Sequence, residues 1–219
     1  MSAETENRFA FPTVADRLAD DAARMFLPHA PDRAGWNSDH PVFDRLVELT
    51  RPDTIVELGT WKGRSAAHLA GAAPAARIYC VDTWLGGLDH VLSTAPQDDL
   101  VRDVVGSPRL YHQFLRNFAD GPWAAYAPRL VPLQQTTLNG ARLLALAGVR
   151  AQLIYVDASH EYEDVYADLC ACRPLLAPGG ILFGDDFRSF PGVFAALLRF
   201  RHEAGLKFEE VDGNFWILS

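Results

Sequence analysis

The chain has 219 residues, of which 49% are hydrophobic and 22% charged, and its formal net charge is -8. That length suits one domain with an open sheet covered by helices on both faces. An acidic chain without a Lys/Arg run excludes nucleic acid as a partner, and the longest apolar stretches, such as Ala141–Val149, are too short and broken to span a bilayer.

The first residues, MSAETENRF, have neither the basic start nor the apolar core of a signal peptide. The expected location is the cytoplasm, with Cys80, Cys170 and Cys172 as reduced structural thiols. Residues 13–26 and 40–50 repeat apolar positions at three and four spacing, as in Val42, Leu46 and Leu49, so residues 1–50 read as a helical lead-in. The rhythm then changes. Thr54–Leu58, Arg77–Val81, Arg129–Leu133, Gln152–Val156 and Gly180–Phe183 read as short buried strands. Helices are expected from about Ser65, over Leu138–Ala147, over Glu161–Arg173 and from about Gly192. Lys207–Val211 and Phe215–Leu218 flank an Asp-Gly-Asn turn, the signature of a hairpin. Right-handed βαβ units predict a doubly wound α/β domain over residues 1–219, with a mostly parallel seven-stranded sheet and a terminal hairpin that makes one edge strand antiparallel. Residues 83–128 form a long insertion with an expected helix at Leu110–Phe118. Its aromatics Trp84, Tyr111, Phe114, Phe118, Trp123 and Tyr126 suit either a lid over a site or packing onto the body.

Three strand ends carry chemistry. The first runs into Glu57-Leu58-Gly59-Thr60-Trp61-Lys62-Gly63-Arg64-Ser65, a glycine turn with an acid two residues before the first glycine. A carboxylate there would repel a pyrophosphate and suits a cationic ligand such as a sulfonium amino acid. The second strand ends on Asp82, about the interval after Gly59 at which an acid accepts ribose hydroxyls. The fourth ends in Asp157-Ala158-Ser159-His160 and the fifth in Asp185-Asp186. Converging carboxylates repel one another unless a hard cation such as Mg2+ or Mn2+ joins them; the alternative is that they cap the following helices. His160 follows Ser159, read as an N-cap, and at a first helical position its neutral form, the form of a general base, is favoured. The alternative there is an idle surface imidazole.

The motifs around Glu57, Gly59, Gly63 and Asp82 resemble those of class I S-adenosylmethionine-dependent methyltransferases, with Trp61 where the usual pattern has a middle glycine. The resemblance implies S-adenosylmethionine as cofactor. Glu57, Gly59 and Gly63 would line its methionine part, with Thr60, Trp61 and Ser65 beside it. Asp82 would hold the ribose, Thr83 and Trp84 would cover the adenosine, and Thr136 and Thr137 would contact adenine, although a Thr pair there is also a good helix cap. Asp157, Asp185 and Asp186 with His160 resemble the metal site of macrolide- and aminocoumarin-sugar O-methyltransferases more closely than that of catechol-type enzymes. The strings at 82–86 and 110–115 are similar to a methyltransferase-24-type subgroup. The implied reaction is O-methylation of a small molecule or sugar, preferably at a vicinal diol, with Asp157, Asp185 and Asp186 on Mg2+ or Mn2+ and His160 as base. The rivals are a metal-independent N- or carboxyl-methyltransferase and a cofactor-binding accessory subunit of an oxygenase system. A homo-oligomer is left open.

Overall fold

Four of the five residues of Thr54–Leu58 (β1) are buried, and only a strand inside a sheet covered on both faces accommodates such a run. The computed structural model describes residues 10–88 and 109–219 and places β1 as an inner strand, third from one edge, of a seven-stranded sheet. The lead-in forms helices Val14–Ala19 (α1), Asp21–Arg24 (α2) and Pro41–Thr50 (α3). After β1 come Arg64–Ala72 (α4), Arg77–Asp82 (β2), Arg109–Asn117 (α5), a 3-10 segment Gly121–Arg129, Leu130–Gln134 (β3) and Thr137–Leu146 (α6). Ala151–Val156 (β4), Tyr162–Cys172 (α7), Leu176–Gly184 (β5), Pro191–Ala204 (α8), Phe208–Val211 (β6) and Phe215–Leu218 (β7) complete the chain. No helix among the described residues is long and apolar enough to cross a membrane.

The strand order is β3-β2-β1-β4-β5-β7-β6. β1 to β5 are mutually parallel, and β7 runs antiparallel to both β5 and β6. The hairpin is therefore present, but its antiparallel strand is not at the edge as expected. Side-chain burial gives the reason: Phe215–Leu218 is buried throughout, whereas β6 carries Glu209 and Glu210 and suits the rim.

Alternation along the strands feeds two cores. Ile55, Ile78, Tyr155, Phe183 and Ile217 face α3, α4 and α5, while Val56, Val81, Ile154 and Leu182 face α6, α7 and α8. Phe43 of α3 is fully buried and lies edge-on to Tyr155, Phe183 and Phe215 at 5.0, 5.2 and 5.9 Å between ring centres. Truncating such a ring to alanine costs roughly 3–5 kcal/mol.

The expected helix 13–26 is two short ones, because Asp20 adopts an extended conformation (φ -79, ψ 117). Thr13 and Asp16 close a capping box on α1. Of the insertion, residues 89–108 lie outside the described residues, and a lid role there lies outside them as well. The described part packs onto the body: Trp84, Phe114, Phe118 and Trp123 form a continuous series of ring contacts at 5.0, 5.2 and 5.4 Å. Buried Asn117 ends α5 and ties the lead-in to the loop after β1, with its amide donating to the carbonyls of Asp32 (2.5 Å) and Lys62 (2.9 Å).

Candidate active site

The chain leaves β1 toward one face of the sheet and β4 toward the other. The carboxyl ends of these neighbouring strands therefore open a crevice, where open α/β sheets bind ligands. A cavity of about 750 Å³ occupies it, within the size of a small-molecule site. Its wall draws on the ends of β1 to β5 and on a piece of the lead-in, Ala34 to Ser38.

The floor is the loop after β1. Gly59 has φ 88, and a Cβ there would lie 1.8 Å from the Asp157 carbonyl oxygen, so only glycine lets β1 and β4 approach this closely. Trp61, in place of the usual middle glycine, still takes a left-handed conformation at φ 49. Gly63, at φ 85, precedes α4. Asp82 holds this loop: its Oδ2 accepts the N–H groups of Thr60 (2.9 Å) and Trp61 (2.8 Å), and its Oδ1 accepts that of Trp84 (2.7 Å). The same carboxylate lines the cavity, as do Thr60, Trp61, Ser65 and Thr83.

Three expected cofactor contacts sit elsewhere, the first being Gly63, which does not line the cavity and whose Cβ position faces the Phe118 and Phe114 rings. Trp84 is fully buried, and its indole N–H donates to the Trp61 carbonyl at 2.7 Å. It supports the loop from below rather than covering a ligand. Glu57 is also fully buried and does not line the cavity. Its Oε1 accepts from the Ser65 hydroxyl, Oε2 has no partner among the described residues, and burial pushes its pKa up to about 8. A carboxyl held neutral by its surroundings is not the surface counter-charge anticipated from the sequence.

At the far end, Thr136 caps α6, its Oγ1 accepting the Asn139 N–H at 3.2 Å, and Thr136 and Thr137 both line the cavity. Asp164 and Asp168, from α7, also line it. Burial pushes Asp168 up to about 7, with the Thr137 hydroxyl acting in the opposite direction.

At the near end the ligand atoms of Asp157, His160 and Asp186 lie within 4.8 Å of one another. His160 Nε2 is 2.9 Å from Asp186 Oδ2, and its ring stacks on Phe190 at 3.8 Å. Burial and the neighbouring Asp186 and Asp185 charges push Asp157 up to about 7, against a hydrogen bond from the Tyr155 hydroxyl at 2.8 Å. Asp185 stands apart from this group. It is buried, its Oδ1 accepts the Asn214 amide and its Oδ2 the Asn37 amide (3.1 Å). His160 is not at a first helical position: Glu161 caps α7, and the Ser159 hydroxyl turns to Asp164 at 2.8 Å. The helix terminus therefore gives no ground for a neutral imidazole, and the adjacent charge is Asp186.

Sequence reasoning missed the lead-in wall and the α7 acids. Trp36 is 67% exposed and lies 6.0 Å from Trp61 between ring centres. Lys62 Nζ pairs with Asp32 at 2.5 Å and Arg64 with Asp39 at 3.1 Å, which fastens that segment over the loop. The Gly35-Trp36-Asn37 string carries no periodicity that would mark it. Asp164 and Asp168 are four apart, and this helical spacing puts them on one face, a usable signal.

The donor set suits two kinds of ligand. The loop after β1 lines the floor with Gly59, Thr60 and Trp61, and the Thr60 hydroxyl oxygen is buried without a hydrogen-bond partner among the described residues. Crowded carboxylates with an imidazole fit a hard divalent cation, which removes their repulsion.

Fold and crevice together define a class I methyltransferase architecture. A family model described as a methyltransferase domain matches residues 56–187, and the chain belongs to that family. No curated protein matches the sequence. Among solved structures it is similar to the calicheamicin methyltransferase CalS11, with 21% identity over 98% of this chain and 91% of that one and a TM-score of 0.59. CalS11 is described as a TDP-rhamnose 3'-O-methyltransferase. TomG, an O-methyltransferase of tomaymycin synthesis from Streptomyces achromogenes in complex with SAM, is 17% identical over 97% and 92% of the two chains, with a TM-score of 0.56. The SAH-bound methyltransferase PaMTH1 from Podospora anserina is 16% identical over 100% and 96%, with a TM-score of 0.59. At these identities the likeness speaks for the fold.

Proposed function

We propose that the chain is an S-adenosylmethionine-dependent O-methyltransferase acting on a hydroxyl of a small molecule or sugar, a vicinal diol by preference, with a divalent cation. One observation carries this reading: the Asp82-braced glycine loop and the Asp157–His160–Asp186 group open into the same cavity. Family membership supports methyl transfer, and the names of CalS11 and TomG support oxygen as the acceptor atom. The acidic chain and its free cysteines fit a cytoplasmic enzyme.

S-adenosylmethionine when bound supplies an electrophilic methyl group, and Mg2+ or Mn2+ supplies Lewis acidity toward neighbouring acceptor oxygens. The chain's own residues bind and orient. The loop Gly59–Trp61 with Ser65 would cradle the methionine part, Asp82 and Thr83 the ribose, and Thr136 and Thr137 the adenine. Asp157 and Asp186 would hold the cation; Asp185 would reach it only by giving up an asparagine amide. His160 would take the acceptor hydroxyl proton only once Asp186 turns from its Nε2 to the cation, with the ring held by its stack on Phe190. Fixing the reacting groups at one end of a shared cavity makes most of the acceleration positional. The position of His160 within the group favours a second reading, in which the imidazole is a cation ligand and not a base.

A crystal structure with S-adenosylhomocysteine and Mg2+ tests the proposal. Cofactor along the glycine loop and a cation on Asp157 and Asp186 are expected. Cofactor without a cation would favour a metal-independent N- or carboxyl-methyltransferase, and cofactor without turnover of any hydroxyl would favour an accessory subunit.

A further inference from the structure

Building on the methyltransferase reading, we infer that the acceptor is neutral or cationic, carries no phosphate or carboxylate, and packs its ring against the Trp36 indole. The first support is charge. Six carboxylates line the cavity, from Asp82, Asp157, Asp164, Asp168, Asp185 and Asp186. The fixed cations in its wall are Lys62 and Arg64, and each is already paired with a further aspartate, Asp32 and Asp39. A cofactor of net single positive charge and one divalent cation would still leave an acidic excess. A low-dielectric cleft lined by one sign of charge focuses its field outward and repels ligands of that sign. A diphosphate linking a sugar to a nucleoside would find neither an arginine fork nor an unpaired lysine among the lining residues described here.

The second support is shape. Trp36 offers a large apolar face in the cavity wall, 67% exposed, steadied by Trp61 on the cofactor loop and by the adjacent Asn37, whose amide is held by Asp185. An indole so exposed in a cleft wall marks a contact surface for a ring, and it attracts a cationic ligand as well. Tied through Trp61 and Asn37 to both halves of the site, Trp36 is placed to orient an acceptor hydroxyl toward Asp157 and His160.

The experiment is calorimetry on the full chain loaded with S-adenosylhomocysteine and Mg2+. The probes are methyl rhamnoside, a methyl amino-glycoside and catechol on one side, and rhamnose 1-phosphate and TDP-rhamnose on the other. The expected result is that at least one unphosphorylated probe binds, at least about tenfold more tightly than either phosphorylated one, a difference of about 1.4 kcal/mol. Trp36→Ala should then raise the KM of that probe more than it lowers kcat, the signature of lost binding. TDP-rhamnose binding as tightly as the free glycoside, or no unphosphorylated probe binding at all, overturns the inference. S-adenosylhomocysteine uptake in the same samples separates the two levels: no uptake defeats the methyltransferase reading itself, whereas uptake with tight TDP-rhamnose defeats this inference alone.

Discussion

Asp82 Oδ2 accepts the Trp61 backbone N–H at 2.8 Å, so the tip of β2 fixes the loop that follows β1. The same oxygen takes the Thr60 N–H at 2.9 Å. Hydrogen bonds to a charged acceptor contribute about 1.5–3 kcal/mol each. Asp82→Ala is therefore expected to lower the melting temperature and to weaken S-adenosylhomocysteine together. Asp82→Asn keeps one acceptor oxygen but turns an NH2 donor toward the N–H groups at the other position, so it should recover only part of the stability. A melting temperature unchanged in Asp82→Ala would remove the brace.

Trp61 holds a left-handed conformation that glycine adopts without strain. Replacement by alanine or glycine removes the same indole, so the difference between the two variants isolates the backbone. Trp61→Gly is expected to be more stable than Trp61→Ala by about 1 kcal/mol, measured by urea unfolding. The reverse order, the usual one for an alanine–glycine pair, would contradict the conformation.

Glu57 binds a proton in the folded chain up to about pH 8, whereas its ordinary pKa is 4.5. Between those values the native state holds a proton that the unfolded state has released, so stability falls as pH rises through the window, at about 1.4 kcal/mol per pH unit for one proton. Below 4.5 the penalty is absent, and above 8 it is complete. Glu57→Gln should keep the contact with Ser65 and flatten the profile, with its largest gain in melting temperature at pH 8 and above. Parallel profiles for the two proteins would refute a protonated Glu57.

The strands and the acids at their tips were legible in the sequence because each is local. A buried strand reads as a β-branched run, and a strand tip is its last residue. What the sequence hid depends on tertiary placement. Glu57 faces away from the cavity because its side chain lies beneath Ser65, and Trp84 is core because α5 packs over it. Asp185 turns to Asn37 and Asn214, which are 148 and 29 residues distant. The order of β6 and β7 followed from burial of all four side chains of β7, which a hairpin motif alone does not reveal.

Asp157 and Asp186 contribute carboxylates to one tight group. Mg2+ is expected to raise the melting temperature of the wild type, as any native-state ligand does. Asp157→Asn and Asp186→Asn should each remove most of that shift, while Asp164→Asn should keep it. Turnover should stop in excess chelator and return with Mg2+ or Mn2+. A melting temperature indifferent to Mg2+ would argue against a cation here.

For His160 the two roles separate cleanly. As a base, its loss in His160→Ala should reduce turnover by roughly 10²–10⁴, with Mg2+ affinity retained and the defect shrinking as pH rises. As a ligand, its loss should weaken Mg2+ at every pH. A pH–rate profile beside a Mg2+ titration of the same variant distinguishes them, and a wild-type response in both would make the imidazole idle.

The central claim is that the cavity at the ends of β1, β2 and β4 takes an S-adenosyl cofactor. Calorimetric titration of the wild-type chain with S-adenosylhomocysteine tests it most directly. One-to-one saturable binding, weakened in Asp82→Ala, is the result the proposed function predicts; absence of binding to the folded wild-type chain would contradict it.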